Sequence, residues 1–513
     1  MKQIVITLLL TFAVVTLKGQ VLQSVPERVL NHQMDMKAPL PEPSFKMDTT
    51  IVRVHILNWK PSMCVFNIVN LNIQDLSSFL ALNYTGQINN DGLAFIRIPL
   101  RGVADASIGI DNDFSSYFLL NPGDTTDVYV DLPRMREVCR AYMEKQSERV
   151  DYGFGNNDIP TAEQTKRYMI SNEYSLDTQP FLWFEGGCAD LNTVRHRYMP
   201  FLKDNPWNMD LENRLMFNKH LKDRYVDDML KRRDYFKKQI KKDKRLPLCA
   251  KQYISLSVDL QAERCLRSFI QHHYRGDVNS IDSSSKENAM LKQRYISILR
   301  SLGTNTNYRA YLKHADLLRT PSNIFSGVFS DNELCDYLHD ITLLYDYSSR
   351  INNDEKLSGG EMEQLRMPFY RNILQQQIDA QQIVESEEYD GDILEYLRNR
   401  YNGKVVLIDF WNTACHGCIM MMNYMEPLKD TILKHPDAAF VYVTDHVSPV
   451  DRWLEFRERI RGEHIRLNDK QKAELDSKFP IKVLPTYILK DRQGNFRNIN
   501  GNLNDFKIEL DKQ

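Results

Sequence analysis

The stretch GKVVLIDFWNTACHGC, residues 403–418, decides how the last quarter of this chain is expected to fold. Its continuous apolar run at 405–408 is typical of a strand that is covered on both faces. A helix-like stretch follows from Cys415 to about Leu433, so Cys415 and Cys418 fall in the first helical turn, where their sulfurs can join as a small disulfide. The partial positive charge of a helix N-terminus favours the thiolate of Cys415, which is the form that attacks disulfides.

Other uses of two cysteines at this spacing fit the sequence less well. A zinc site needs a second Cys/His pair at suitable spacing, and the sequence offers none. Covalent haem attachment needs a histidine directly after the second cysteine, where this chain has Ile419. A purely structural cysteine pair stays open.

Asp409 interrupts the apolar strand six residues before Cys415. A carboxylate is costly in such a place unless it has a partner or a task. We interpret it as a buried proton acceptor for the second thiol, with a pKa raised by loss of solvent. The alternative is a hydrogen-bonded acid at the end of a strand.

The segment Leu484-Pro485-Thr486 precedes another strand-like run at 487–489. We interpret Pro485 as a cis proline that packs against the disulfide and exposes the Leu484 backbone to an extended substrate. An ordinary proline at the start of a strand is the alternative.

Taken together, these motifs resemble the thioredoxin fold, and the pattern over 385–513 resembles its exported TlpA/ResA-type branch. The stretches that carry the wider resemblance are GKVVLIDFW (403–411), MEPLK (425–429) and GEHIRL (462–467). The resemblance implies that Cys415 is the nucleophile, Cys418 the resolving thiol, Asp409 the buried acid and Pro485 the cis proline. We further predict that the substrate contacts Trp411, His416, Leu484 and Thr486.

The chain departs from the family pattern around the cysteines. Ala414 replaces the usual tryptophan, and His416-Gly417 replaces the common Gly-Pro or Glu-Pro. A protonated His416 would stabilise the Cys415 thiolate and make the couple more oxidising. The reduction potential and the direction of electron flow therefore stay open.

Residues 1–20, MKQIVITLLLTFAVVTLKGQ, have the layout of a secretory signal peptide, with Lys2 before an apolar stretch at 4–17. Fourteen residues fall short of the roughly 20 that span a bilayer, so a cleaved signal is favoured over a membrane anchor. No cysteine lies near the cut, which argues against a lipoprotein. We expect a periplasmic or otherwise extracytoplasmic protein with no transmembrane segment after signal removal.

The length of 513 residues predicts about three domains. The expected fold is multidomain α+β: a linker at 21–44, an N-terminal β-sandwich at 45–132, a helical middle domain at 133–384 and a C-terminal thioredoxin-like α/β domain at 385–513. With 66 basic and 68 acidic residues, the chain is not built as a whole to hold nucleic acid.

The expected activity is that of an extracytoplasmic thiol–disulfide oxidoreductase, with protein disulfide reductase as the preferred direction. Its expected partners are disulfide-bearing proteins and an upstream thiol–disulfide electron donor, and the chemistry needs no bound cofactor. One alternative is a non-catalytic binding or scaffold protein whose CxxC is a structural disulfide. Another is a Cu(I)-handling protein that uses the cysteines with the methionines at 420–425, for which core packing is the simpler explanation.

Six further cysteines are scattered along the chain, and buried free thiols are the expectation for them, with one structural disulfide left open: Cys64, Cys139, Cys188, Cys249, Cys265 and Cys335.

Overall fold

The structure, a computed structural model, describes residues 21–42, 44–74, 81–111, 116–147, 157–170, 180–198, 209–275, 281–303, 336–353, 355–386, 391–426, 429–430, 434–499 and 503–511. The predicted signal peptide at 1–20 and Cys335 lie outside these ranges. No helix within them is both long enough and apolar enough to cross a membrane.

Two four-stranded sheets form the first part of the chain, in the strand orders β4-β1-β7-β8 and β3-β2-β5-β6. Every pair in them is antiparallel except β1 with β7. The strands are β1 (Met47–Ile56), β2 (Ile68–Gln74), β3 (Ala81–Gln87), β4 (Leu93–Arg101), β5 (Ala104–Ile110), β6 (Ser116–Leu120), β7 (Thr125–Val130) and β8 (Leu182–Gly186).

The two sheets share one apolar core. Val52 and Val54 of the first sheet belong to the same buried cluster as Leu71 and Ile108 of the second. Strand β8 lies outside the range 45–132 in which strands were expected, and it completes the first sheet by pairing with β7. The paired residues run from Thr126 with Gly186 to Val130 with Leu182, so they lie 52 to 60 positions apart, and local patterning in the sequence carries little sign of the pairing.

Helices dominate the middle of the chain, with α1 preceding the first strand. Within the predicted helical domain, the stretch 211–240 contains two helices, because Asn218 forms a turn between them and accepts a hydrogen bond from the His220 N–H. The helices are α1 (Glu27–Leu30), α2 (Leu132–Ser147), α3 (Ala162–Ile170), α4 (Ala189–Tyr198), α5 (Met209–Phe217), α6 (Lys222–Lys242), α7 (Leu248–Tyr274), α8 (Lys286–Gly303), α9 (Asp336–Asn352) and α10 (Pro368–Ser386).

The last part of the chain is a five-stranded sheet flanked by helices, in the strand order β11-β10-β9-β12-β13. Strands β9, β10 and β11 are parallel, whereas β12 runs antiparallel to β9. The elements are α11 (Ile393–Arg400), β9 (Val405–Phe410), α12 (His416–Tyr424), β10 (Ala438–Thr444), α13 (Val450–Arg459), β11 (Glu463–Arg466), α14 (Asp469–Lys478), β12 (Thr486–Lys490), β13 (Phe496–Asn498) and α15 (Leu503–Asp511).

Strand β9 is the centre of this sheet, and all six of its residues are buried. Alternate side chains point to opposite faces of a strand, so Val406 and Ile408 pack with α11 and α14 on one side. Leu407 lies in the cluster that also holds Cys418 of α12 and Phe456 of α13. Both faces of β9 are therefore covered, which agrees with the continuous apolar run at 405–408. Asp409 points to the same face as Leu407, beneath α12.

Candidate active site

Cys415 and Cys418 form a disulfide at the start of α12, with their Cα atoms 5.2 Å apart. Cys415 is the N-cap of the helix, and its Sγ accepts a hydrogen bond of 3.1 Å from the Cys418 N–H. Cys415 is half-buried, whereas Cys418 is 0% exposed. Cys415 is therefore the sulfur that another molecule can reach, and the helix N-terminus and this N–H group favour negative charge on it.

A short, well-bonded loop holds Cys415 at the end of β9. The side-chain oxygen of Asn412 accepts a hydrogen bond from the Ala414 N–H at 3.1 Å. The backbone carbonyl of Asn412 accepts one from the Cys415 N–H, also at 3.1 Å. The Thr413 N–H donates to Ser448 Oγ at 3.1 Å. These bonds fix the direction in which the chain enters the helix.

The Leu484–Pro485 peptide bond is cis, and the proline lies beside the cysteines. A Cβ atom placed on Gly417 would lie 3.8 Å from Pro485 Cδ, the distance of ordinary van der Waals contact. Just before the proline, Val483 is 70% and Leu484 38% exposed. An accessible backbone segment thus borders the disulfide.

Asp409 is 0% exposed, and neither carboxyl oxygen has a hydrogen-bond partner among the described residues. Burial raises its pKa well above the usual carboxyl range, and the positive charge of Lys429 offsets this only in part. The protonated form is therefore favoured, and the group is suited to exchanging a proton within the domain.

Two tyrosines flank Asp409 across the sheet. Tyr442 of β10 and Tyr487 of β12 are its direct register partners, and directly paired residues project from the same face. Within the described ranges, neither buried hydroxyl has a hydrogen-bond partner. Burial and the charge of Asp409 raise the pKa of both phenols. Three polar side chains thus form one row beneath α12.

A buried lysine borders this row. Lys429 Nζ lies 2.9 Å from Glu426 Oε2 and 4.9 Å from the centre of the Tyr442 ring. Burial lowers the pKa of Lys429, whereas Glu426 and Asp409 act in the opposite direction. Lys429 is therefore the cationic group that acts on Asp409 from inside the domain.

The predicted substrate contacts differ in exposure. Trp411 is only 1% exposed and packs against the rings of Tyr442 and Phe456, at 6.4 and 5.8 Å between centroids. It is therefore part of the core instead of a surface that a substrate touches, because it shares the inward face of Leu407 and Asp409. Thr486 is also buried, and its hydroxyl donates to the Val483 carbonyl at 2.5 Å.

His416 lies at the exposed rim of the cysteine helix. Burial of part of its ring lowers its pKa, so the neutral form is favoured while the disulfide is intact. The protonated His416 considered from the sequence is therefore not the favoured form in this state.

Sequence reasoning did not select Tyr442, Tyr487, Lys429 or Asn83 as site residues. Tyr487 lies in a strand-like run that the sequence predicts, yet only the order and register of the strands place both tyrosines beside Asp409. Lys429 stands in the MEPLK stretch, whose position next to the CxxC helix is the one available signal. Asn83 of strand β3 donates a hydrogen bond to the Ala414 carbonyl, and no local pattern connects it with a residue more than 300 positions later.

Cys188, Cys249 and Cys265 are buried free thiols, and Cys64 is a half-buried one. Cys139 is buried as well. Among the residues that the structure describes, no group of three or more His, Cys, Asp or Glu side chains is arranged to hold a metal ion.

Comparison with known proteins agrees with this geometry. A family described as thioredoxin-like matches residues 402–496. No curated protein matches the chain.

Several solved structures are similar to parts of the chain. A thioredoxin domain of a thiol-disulfide oxidoreductase from Bacteroides vulgatus is 21% identical, over 20% of this chain and 71% of that one, with a TM-score of 0.18. A thiol:disulfide interchange protein from Chlorobium tepidum is 17% identical over 22% and 84%, with a TM-score of 0.19. A thioredoxin-like protein from Bacteroides caccae is 13% identical over 50% and 94%, with a TM-score of 0.21.

The sheet order, the cysteine pair and the cis proline of the matched segment agree with the family match. Residues 402–496 of this chain form a thioredoxin-like domain.

Proposed function

We propose that the protein is an extracytoplasmic thiol–disulfide oxidoreductase that reduces disulfides in other proteins. The observation that carries the proposal is the arrangement around one helix N-terminus. Cys415 is accessible, Cys418 is fully buried, and both stand on the sheet face that holds Asp409. The TlpA/ResA-type resemblance of 385–513 supports this activity.

In the first step, the Cys415 thiolate attacks one sulfur of a substrate disulfide. The substrate S–S bond breaks, a mixed disulfide forms between Cys415 and the substrate, and the other substrate sulfur leaves as a thiolate that takes up a proton. The exposed Leu484 beside Pro485 supports binding of the substrate as an extended strand, because an extended peptide can pair with accessible main-chain groups.

In the second step, Cys418 gives up its proton and attacks Cys415 Sγ. The Cys415–Cys418 disulfide forms, and the substrate leaves with both of its sulfurs reduced, so two electrons have moved from the protein to the substrate. The ionised form of Asp409 accepts the Cys418 proton and returns to the favoured protonated form, because a buried carboxylate with a raised pKa is a stronger base than an exposed one.

A thiol–disulfide donor then returns the disulfide to two thiols. We place the protein outside the cytoplasm on the strength of residues 1–20, which have the layout of a secretory signal peptide. A reductase in an oxidising compartment depends on such a donor, because its own disulfide otherwise persists.

The test is reduction of insulin by the full chain with a dithiol reductant in excess. We expect wild-type protein to accelerate the reaction and Cys415→Ser to abolish the acceleration. Cys249→Ser is the matched control, because this thiol is buried in the middle region, and it should retain activity. The proposal would be contradicted if wild-type protein with a reducible Cys415–Cys418 bond did not accelerate insulin reduction. A reduction potential of this bond below about −300 mV would also contradict it, because such values are typical of structural disulfides.

A further inference from the structure

The sheet β3-β2-β5-β6 docks on the helix that carries the cysteines. Asn423 of α12 donates to Thr85 Oγ1 of β3, and the rings of Tyr424 and Phe66 meet edge to face at 5.5 Å. One residue of this sheet, Asn83, reaches the cysteine motif itself.

Asn83 is 0% exposed and makes three polar contacts with residues that the structure describes. Its Nδ2 donates to the Ala414 carbonyl at 3.0 Å, and its Oδ1 accepts from Asn72 Nδ2 at 3.0 Å. The same Oδ1 lies 3.3 Å from Nδ1 of His416. Asn72 is the direct register partner of Asn83, so strand pairing holds the amide in place.

These contacts determine which ring nitrogen of His416 carries a hydrogen. The Ala414 carbonyl can only accept, so the Asn83 amide must turn its NH₂ group toward it and its oxygen toward His416. An amide oxygen also only accepts, so Nδ1 of His416 must donate. The neutral ring therefore carries its hydrogen on Nδ1 and has its lone pair on Nε2.

We propose that Asn83 is a positioning residue of the Cys415–Cys418 site. Its side chain holds the His416 ring in the Nδ1–H tautomer and anchors the Ala414 carbonyl next to Cys415. The proposal rests on the thiol–disulfide activity proposed above and adds that the first half of the chain contributes a residue to that site.

Asn83 also favours a positive charge on His416 when Cys415 becomes a thiolate. The ring can gain a proton on Nε2 without losing its bond to Asn83, and hydrogen bonds to charged groups are stronger than those between neutral groups. Loss of Asn83 should therefore leave the Cys415 thiolate less stabilised.

The first measurement needs no change at Asn83. In full-length protein labelled with ¹⁵N-histidine, the His416 signal is identified by its loss in His416→Gln. We expect the nitrogen shifts of the Nδ1–H tautomer in wild-type protein. Shifts of the Nε2–H tautomer would overturn the proposal.

The second measurement is the alkylation rate of reduced Cys415 by iodoacetamide at neutral pH. We expect Asn83→Ala to slow it by about threefold or more, because a charge-assisted hydrogen bond is lost. Thr85→Val, which removes a contact at the same interface away from the cysteines, should leave the rate within about twofold of wild type. An equal loss in Thr85→Val would assign the effect to domain docking and overturn the proposal.

A double-variant cycle tests whether Asn83 acts through His416. In the His416→Gln background, Asn83→Ala should produce no further slowing. An undiminished effect there would also overturn the proposal. Insulin reduction by the same wild-type preparation tests the proposed function separately, because neither the tautomer nor the alkylation rate depends on a protein substrate.

Discussion

Asp409 lies directly opposite Tyr487 in the antiparallel pair of β9 and β12. Tyr442 occupies the same register on the other side, in β10, so a buried carboxyl stands between two buried phenols. This row lies beneath the helix that begins with the cysteines. The arrangement surrounds an ionisable group with ring carbon and hydroxyls instead of water, which explains its raised pKa.

Replacing Asp409 by Asn should stabilise the folded protein increasingly as pH rises. Because the folded pKa is raised, the folded state binds more protons than the unfolded state between the ordinary carboxyl pKa and the raised one. Wild-type stability therefore falls through that window, by about 1.4 kcal/mol for each step of one in pH, and Asp409→Asn removes this decline. Urea unfolding over a pH series measures the difference.

Asp430 provides a control of opposite sign. A hydrogen bond from Arg461 lowers the pKa of this exposed carboxyl. The bond of Asp430 with Arg461 stabilises the folded state above the ordinary carboxyl pKa, and this effect is lost as pH falls through the lowered pKa of folded Asp430. Asp430→Asn should therefore reduce stability at neutral pH. A decline with pH that is the same in Asp409→Asn and wild type would refute the assignment of a raised pKa to Asp409.

Replacing Cys418 by Ser should trap the first intermediate of the proposed exchange. Cys415 can still attack a substrate, but no thiol remains beneath it to release the mixed disulfide. We expect covalent complexes with exported proteins on non-reducing gels. A reductant should separate these complexes into their component proteins. The double variant Cys415→Ser/Cys418→Ser is the control and should form none, so complexes in equal amount there would rule out trapping through Cys415.

Breaking the ion pair between Arg101 and Asp451 should loosen the contact of the first sheets with the C-terminal domain. The pair joins β4 to α13, and its side chains are only 8% and 6% exposed. Arg101→Ala leaves a buried carboxylate without its cation, which typically costs about 3–5 kcal/mol. Chemical denaturation measures the loss, and Arg101→Ala/Asp451→Ala should recover part of it.

The exposed pair Arg28–Glu185 offers a comparison for this measurement. Arg28→Ala should cost much less stability than Arg101→Ala, because water screens surface pairs. An Arg101→Ala loss of the same small size would mean that the Arg101–Asp451 contact does not stabilise the docked arrangement.

Gly417→Ala should be tolerated and should stabilise the cysteine helix. The added Cβ would meet Pro485 Cδ at 3.8 Å without a clash, and alanine is favoured over glycine within helices by up to about 1 kcal/mol. Thermal unfolding and insulin reduction measure the two effects. Gly92→Ala is the contrasting control, because φ there is +78° and the new Cβ would lie 2.5 Å from Trp59 Cβ, so it should destabilise. A large loss of insulin-reducing activity in Gly417→Ala would contradict the claim that a Cβ atom fits beside Pro485 without a clash.

Several parts of the fold follow from local sequence. The continuous apolar run at 405–408 predicts a strand buried on both faces, and β9 is such a strand. The turn residues Asn89-Asn90-Asp91-Gly92 directly precede β4, and Gly92 has the positive φ that glycine adopts readily. Local sequence did not predict strand β8, because its pairing with β7 joins segments that lie far apart in the chain.

The sequence by itself determined that Cys415 and Cys418 stand at a strand-to-helix junction and that Asp409 lies within a buried strand. These properties depend on hydrophobic periodicity and on spacing along a few turns of chain. Only the tertiary structure decided that Tyr442 and Tyr487 flank Asp409, that Trp411 faces the core, and that Asn83 reaches His416. Such neighbours depend on strand order, register and the docking of one sheet on a helix, all of which come from contacts between residues far apart in the chain.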